Sequence, residues 1–189
     1  MTVVCLVRHG ETDWNVEGRL QGREDIELNE NGKLQARNCG VYLKEENWDI
    51  IITSPLKRAK QTAKIINTHV PIQNFIEMKN FIERDYGEAS GLTVDEREKL
   101  FPKRDYKNQE PRELLTKRVI SGLDTIQRKH PNNKVILVAH GAVINAILAH
   151  LSNGKIGSGK TKLMTACISR IQYNQKQWRI NEFNQVAHL

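Results

Sequence analysis

The chain has few of the residues that build specialised scaffolds. Aromatic residues make up 6% of its 189 residues and do not interleave with basic runs, so a base-stacking platform for nucleic acid is poorly supported. Its three cysteines, Cys5, Cys39 and Cys167, are odd in number and far apart. They suggest neither a disulfide framework nor a CxxC metal site, and a reducing, cytoplasmic setting is expected. No apolar run approaches the roughly 20 residues needed to span a bilayer. The first apolar run has no basic segment ahead of it and no small-residue cleavage site behind it, so it reads as a strand rather than a signal peptide. No internal repeat, low-complexity tract or linker divides the chain, and residues 1–189 are expected to form one domain.

A net charge of +7 favours anionic partners: nucleic acid, acidic lipid or phosphorylated small molecules. The basic residues are spread out, with no block of five or six, which argues against a nucleic-acid or membrane partner and leaves a small phosphorylated molecule. The charge sets no oligomeric state. Hydrophobic content of 39% with 27% charged residues is that of a globular protein.

Val3–Val7 is an apolar run that stops at Arg8-His9-Gly10. Three β-branched valines in five residues suit a strand buried on both faces. Val135–Ala139 is a similar run and ends in His140-Gly141. In open α/β sheets ligands bind beyond the carboxyl ends of strands, so the two histidines are expected at one sheet edge. A third strand, Trp48–Thr53, leads into Ser54-Pro55, read as the N-cap and first residue of a helix that carries Arg58. Phosphate binding commonly uses a helix start with a nearby arginine.

Between these landmarks the pattern predicts a polar loop over residues 10–30 and a helix from Asn29 to about Lys44, weakly striped by Leu34 and Val41, with Cys39 as a further candidate. It predicts short strands at Ile72–Ile76 and Lys79–Ile82, and a helix over Thr93–Leu100 opened by a Thr93/Glu96 capping box. A long helix follows Pro111 through Leu114, Leu115, Val119, Leu123 and Ile126, and another runs from Ala142 to about Leu151. Thr165–Tyr173 and Trp178–Phe183 read as a closing hairpin. The alternation of strands and helices predicts an α/β fold, a three-layer α/β/α sandwich around a mostly parallel sheet.

Two histidines first raise the question of metal, which would want a third ligand, but no HxH, HExxH or aspartate cluster lies near either, and Arg8 and Arg58 would repel a cation. Arginine instead suits phosphate, which its planar fork binds through paired hydrogen bonds. A histidine within such a cradle can act as nucleophile, and the leaving alkoxide then needs a general acid. Glu83 and Glu88, in one charged turn, are both candidates.

Leu6-Val7-Arg8-His9-Gly10-Glu11-Thr12 with Trp14-Asn15 resembles the signature of the histidine phosphatase superfamily. The likeness continues through Leu20-Gln21-Gly22, Ser54–Ala63, Glu83-Arg84-Asp85-Tyr86-Gly87 and Val138-Ala139-His140-Gly141. It implies a phosphoglycerate mutase-like fold, with His9 as the phosphorylated nucleophile and Arg8, Arg58 and His140 completing the phosphate pocket. It selects Glu83 over Glu88 as proton donor and later base. It adds Asn15, Gln21, Gly22, Tyr86 and Gly141 as substrate-binding residues, and it implies no metal and no cofactor. Glycolytic mutases of the family carry a longer segment between the last two motifs, with paired arginines. Here that segment is short, Arg104 and Arg112 stand alone, and Gln109-Glu110-Pro111 replaces the common Gly-Glu-Ser. The resemblance therefore points to a metal-independent phosphomonoester hydrolase of small metabolites, most like the broad-specificity bacterial phosphatases, ahead of a cofactor-dependent mutase.

Gly154–Thr161 matches the G-x-x-x-x-G-K-T pattern of a nucleotide-binding P-loop. It follows a helix and precedes an expected strand, the reverse of what that loop requires, and Gly154 reads as a helix C-cap.

Overall fold

A computed structural model describes residues 1–189. The apolar runs form the strands of one sheet: β1 (Thr2–Arg8), β2 (Ile50–Thr53), β3 (Asn74–Glu77), β4 (Lys134–Ala139), β5 (Ile168–Asn174) and β6 (Gln177–Gln185). Their order across the sheet is β3-β2-β4-β1-β5-β6. The first four are mutually parallel, and β5 and β6 close the sheet antiparallel. Six helices connect them: α1 (Asp13–Val16), α2 (Glu30–Leu43), α3 (Lys57–His69), α4 (Val94–Leu100), α5 (Arg112–Lys129) and α6 (Gly141–Leu151). None is long and apolar enough to cross a membrane.

Strand alternation sorts the core into two layers. Val4 and Leu6 of β1 and Val135 and Leu137 of β4 pack under α5 and α6. Cys5 and Val7 of β1 and Ile136 and Val138 of β4 face α2 and α3 on the other side. The three-layer sandwich read from the sequence is thus the observed architecture.

Several local expectations change. The buried side of α2 is Gly32, Ala36, Cys39, Gly40 and Leu43, whereas Leu34 and Val41 are about half exposed. At its N-terminal end α2 lies close against the loop after β1: a Cβ on Gly32 would overlap the Glu11 carbonyl, and one on Gly10 the Gly32 carbonyl, while a Cβ on Gly40 would meet His69 of α3. Leu114 likewise points outward from α5. Lys79–Phe81 is a single 3-10 turn, not a strand. The helix after β2 starts at Lys57 with Leu56 at its cap position, two residues beyond the expected Ser54-Pro55 start; the Ser54 Oγ accepts from the Leu56 N–H at 3.3 Å and lies 2.7 Å from His140 Nε2. Helix α6 ends in a Schellman motif. The Gly154 N–H donates to Ala149 O and the Asn153 N–H to His150 O, so Asn153, at φ 51°, takes the left-handed position expected for Gly154. The loop that follows leads through turns into β5, with no helix at its end. The strand–loop–helix geometry of a P-loop is absent.

Candidate active site

Strand register brings the site together. Arg8 pairs with Ala139 and Thr53 with Val138, so β1, β4 and β2 release His9, His140 and Ser54 side by side. The His9 N–H donates to Ala139 O and the Ser54 N–H to Val138 O, both at 3.0 Å. The two imidazole rings lie 5.3 Å apart between centroids.

His9 is held in one tautomer. Its Nδ1 lies 2.7 Å from Gly10 O, and a carbonyl only accepts, so Nδ1 carries the hydrogen and Nε2 keeps the lone pair. The Gly10 N–H is in turn fixed on Thr62 Oγ1, whose hydroxyl donates to Arg58 O. Burial holds the His9 pKa well below its ordinary 6.5, and the charges of Arg58 and Arg8 push it the same way. The ring is therefore neutral near pH 7, with Nε2 available.

Arg58 is fully buried. Its two terminal nitrogens donate to Glu24 O and Gly22 O, at 2.7 and 2.8 Å, which ties the 10–30 loop to α3. Burial lowers its pKa to about 10, so it still carries full charge at neutral pH. Gly22 reaches that position at φ +52°, where glycine is unstrained. Arg8 donates through Nη1 to Leu163 O at 2.6 Å, and its buried Nε has no protein partner.

Glu83, 8% exposed, hangs between two backbone donors. Its Oε1 accepts from Arg84 N–H at 2.9 Å and its Oε2 from Ala142 N–H at 3.2 Å, which places the carboxyl at the start of α6. Glu88 is exposed, and its Oε2 lies 3.4 Å from the Lys107 amide nitrogen. Of the two acids weighed in the sequence, Glu83 alone faces the site.

A cavity of about 1030 Å³ opens over this edge and is lined by Arg8, His9, Arg58 and Glu83, together with Asn15, Gln21, Gly22, Tyr86 and Gly141. Asn15 also caps α1, because its Oδ1 accepts from the Thr12 amide and hydroxyl, both at 3.1 Å. The Gln21 Oε1 is buried with no partner. Tyr86 lies under the Arg84 guanidinium, 5.3 Å from the ring centroid. His140 is fully buried with its ring beside that of His9, and it is not among the residues lining the cavity. Its Nε2 is drawn 2.7 Å to Ser54 Oγ, and its Nδ1 has no partner. No group of three or more histidine, cysteine or acidic side chains is arranged to hold a metal.

Three contributors to the site were not singled out in the sequence. Ser54 orients His140. Glu11 accepts from the Asn29 and Asn31 amides, each about 3 Å away, and so braces the His9 loop on α2. Asn145 lines the cavity with a buried Oδ1 that has no partner. Only Asn145 carried a readable signal, as a polar residue in the otherwise apolar α6 pattern.

The buried rings make stability depend on pH. Burial, first of all, also holds the His140 pKa well below 6.5. Both rings bind a proton more readily in the unfolded chain, so stability is fully present above about pH 6.5 and is lost as pH falls from there toward the folded-state pKa values. Each ring contributes up to about 1.4 kcal/mol per pH unit in that window. Urea unfolding of His140→Gln should therefore show an acid limb shallower by up to that amount. An unchanged limb would mean that the His140 ring is charged in the folded protein.

The comparisons agree with this geometry. The sequence model of the histidine phosphatase superfamily (branch 1) matches residues 4–186. The chain is 50% identical to the uncharacterized phosphatase PhoE of Bacillus subtilis, covering all of this chain and 97% of that one. It is 33% identical to a metal-independent phosphoserine phosphatase of Arabidopsis thaliana, covering 100% of this chain and 84% of the relative. Among solved structures, Bacillus stearothermophilus YhfR superposes with a TM-score of 0.92 at 25% identity, over 100% of this chain and 99% of that one. A nearly full-length family match and a relative identical at half its positions show that the chain belongs to the histidine phosphatase superfamily, branch 1.

Proposed function

We propose that the chain hydrolyses phosphomonoesters of small metabolites through a phosphohistidine on His9. The observation that carries this reading is the His9 ring: its Nδ1 is occupied by Gly10 O, and the ring lies on the cavity wall beside the buried Arg58 and the partly buried Arg8. The Nε2 lone pair attacks phosphorus, the P–O ester bond breaks, and the leaving oxygen takes its proton from Glu83. Water then attacks the phosphohistidine, the P–N bond breaks, and the Glu83 carboxylate accepts the proton of the water. Arg8 and Arg58 offset the charge spread over the phosphoryl oxygens in both steps. The unpaired Gln21 Oε1 and the free amide group of Asn15 supply hydrogen bonds to the remainder of the ester.

Hydrolysis is favoured over phosphoryl transfer between two bound sugars or acids by the cavity itself, which is wide and mostly polar and admits water to the phosphoenzyme. The relative named a metal-independent phosphoserine phosphatase supports the same chemistry. Turnover of p-nitrophenyl phosphate in excess EDTA tests it. The expected result is undiminished hydrolysis. A strict requirement for added magnesium would overturn the histidine route in favour of metal-assisted attack.

A further inference from the structure

The histidines and the acid of the site are placed by different means. His9 and His140 leave the ends of β1 and β4, and the sheet fixes both. Glu83 has no strand or helix beneath it. It stands on an irregular stretch between the 3-10 turns Lys79–Phe81 and Gly87–Ala89, so its position must come from contacts across the fold.

Those contacts converge on its main-chain carbonyl. Glu83 O accepts from Arg118 Nη2 at 3.2 Å and from Arg23 Nε at 3.3 Å. The Arg23 side chain is 41% exposed, whereas that of Arg118, on α5, is 20% exposed. Arg118 also donates through Nη1 to Asn80 O at 2.7 Å, and its own carbonyl accepts from Asn80 Nδ2 at 3.1 Å. One turn along α5, Gly122 lets the helix close on the same segment: a Cβ there would come 2.7 Å from Phe81 Cζ and 2.8 Å from Asn80 Cβ. One guanidinium thus grips the chain at Asn80 and again at Glu83.

That guanidinium is itself oriented by Glu110. Its Nε donates to Glu110 Oε1 at 2.6 Å and its Nη2 to Oε2 at 2.9 Å, a bidentate pair whose two bonds fix the plane of the fork. The Glu110 side chain is 10% exposed. Burial opposes its charge, but the hydrogen bond and charge of Arg118, with the charge of Arg23, outweigh it and hold its pKa below the ordinary 4.5. Glu110 is therefore ionised at neutral pH. Its main chain is laced to the acid's segment as well: the Glu110 N–H donates to Asp85 O, and Glu110 O accepts from Arg84 Nε, both at 2.8 Å. Neither Arg118 nor Glu110 lines the cavity, so an effect of either on the reaction passes through Glu83. A general acid must lie within hydrogen-bond reach of the leaving oxygen, and a displacement of about 1 Å can cost on the order of 100-fold in rate.

We propose that Arg118, oriented by Glu110, is a positioning residue for the reaction: it grips the Glu83 main chain and so sets the carboxyl against the leaving-group oxygen. This role rests on the reading of Glu83 as general acid.

The test measures kcat/KM, which reports the steps through leaving-group departure, for an alkyl phosphate and for p-nitrophenyl phosphate. The variants are Arg118→Gln, Glu110→Gln, Glu83→Gln and the double variant Arg118→Gln/Glu83→Gln. Arg118→Gln and Glu110→Gln should each lose about 30-fold or more on the alkyl ester and about threefold or less on p-nitrophenyl phosphate, which needs little proton donation. Added to Glu83→Gln, Arg118→Gln should cost the alkyl ester only about threefold or less, because no proton remains to be positioned. Retained hydrolysis of p-nitrophenyl phosphate shows in the same assay that the His9 cradle persists. Glu110→Gln keeps the shape of its side chain and carries the test if Arg118→Gln does not fold. Equal losses on both esters, no loss on either, or an alkyl loss undiminished in the Glu83→Gln background would overturn the positioning role while Glu83→Gln keeps its own leaving-group dependence. Absence of that dependence in Glu83→Gln would overturn the general-acid reading itself, and the positioning role with it.

Discussion

Replacing His9 with alanine is expected to lower turnover by on the order of 10⁴-fold or more while the fold remains intact. The magnitude follows from the route: without Nε2 no phosphoenzyme forms, and the cradle of arginines is left to orient a weaker nucleophile, water. The fold should survive because the ring's one side-chain hydrogen bond is to the adjacent Gly10 carbonyl. The backbone around it stays tied through Ala139 O, Thr62 Oγ1 and the Ala166 N–H on His9 O. Arg8 and Arg58 remain, so the variant should still bind inorganic phosphate. Two measurements decide the matter. Rapid quench of the wild-type enzyme and labelled substrate into alkaline detergent should trap base-stable, acid-labile protein-bound phosphate that His9→Ala lacks. Near-normal turnover of His9→Ala, with unchanged circular dichroism, would remove the nucleophile assignment.

The sheet and its catalytic edge were legible because both are encoded locally. An apolar run ending in Arg-His-Gly, and another ending in His-Gly, announce buried strands whose polar ends have no structural use. Features that depend on what lies across the fold were not legible. Ser54 looks like a helix cap in sequence, yet its hydroxyl is engaged by His140, 86 residues away. On the inner face of α2, Gly32 admits the backbone after His9 and Gly40 the His69 side chain of α3, and the face is completed by Ala36, Cys39 and Leu43 rather than by Leu34 and Val41. Lys79–Ile82 alternates like a strand, but Phe81 is fully buried beneath α5 and the chain turns to place it there.

The second large effect is expected at Glu83, where the size of the loss should depend on the leaving group. In Glu83→Gln the side-chain oxygen can still accept from one of the two amides, Arg84 N–H or Ala142 N–H, so the position is kept and the transferable proton is lost. An alkoxide leaves poorly without that proton, and alkyl phosphates should lose about 10³-fold in kcat, within the usual range for a general acid. A nitrophenolate is a far weaker base and leaves with little help, so p-nitrophenyl phosphate should lose only about tenfold in forming the phosphoenzyme. Hydrolysis of the phosphohistidine needs Glu83 as base whatever the ester. Pre-steady-state release of nitrophenol should therefore outrun the steady state, giving a burst close to one equivalent per active site in the variant. Equal losses on both ester classes, with no burst, would mean that Glu83 holds Ala142 and the start of α6 in place without moving a proton, and the acid would have to be sought elsewhere on the cavity wall. Glu11 is the other carboxylate lining that cavity, and the leaving-group dependence of Glu83→Gln is the measurement that separates the two.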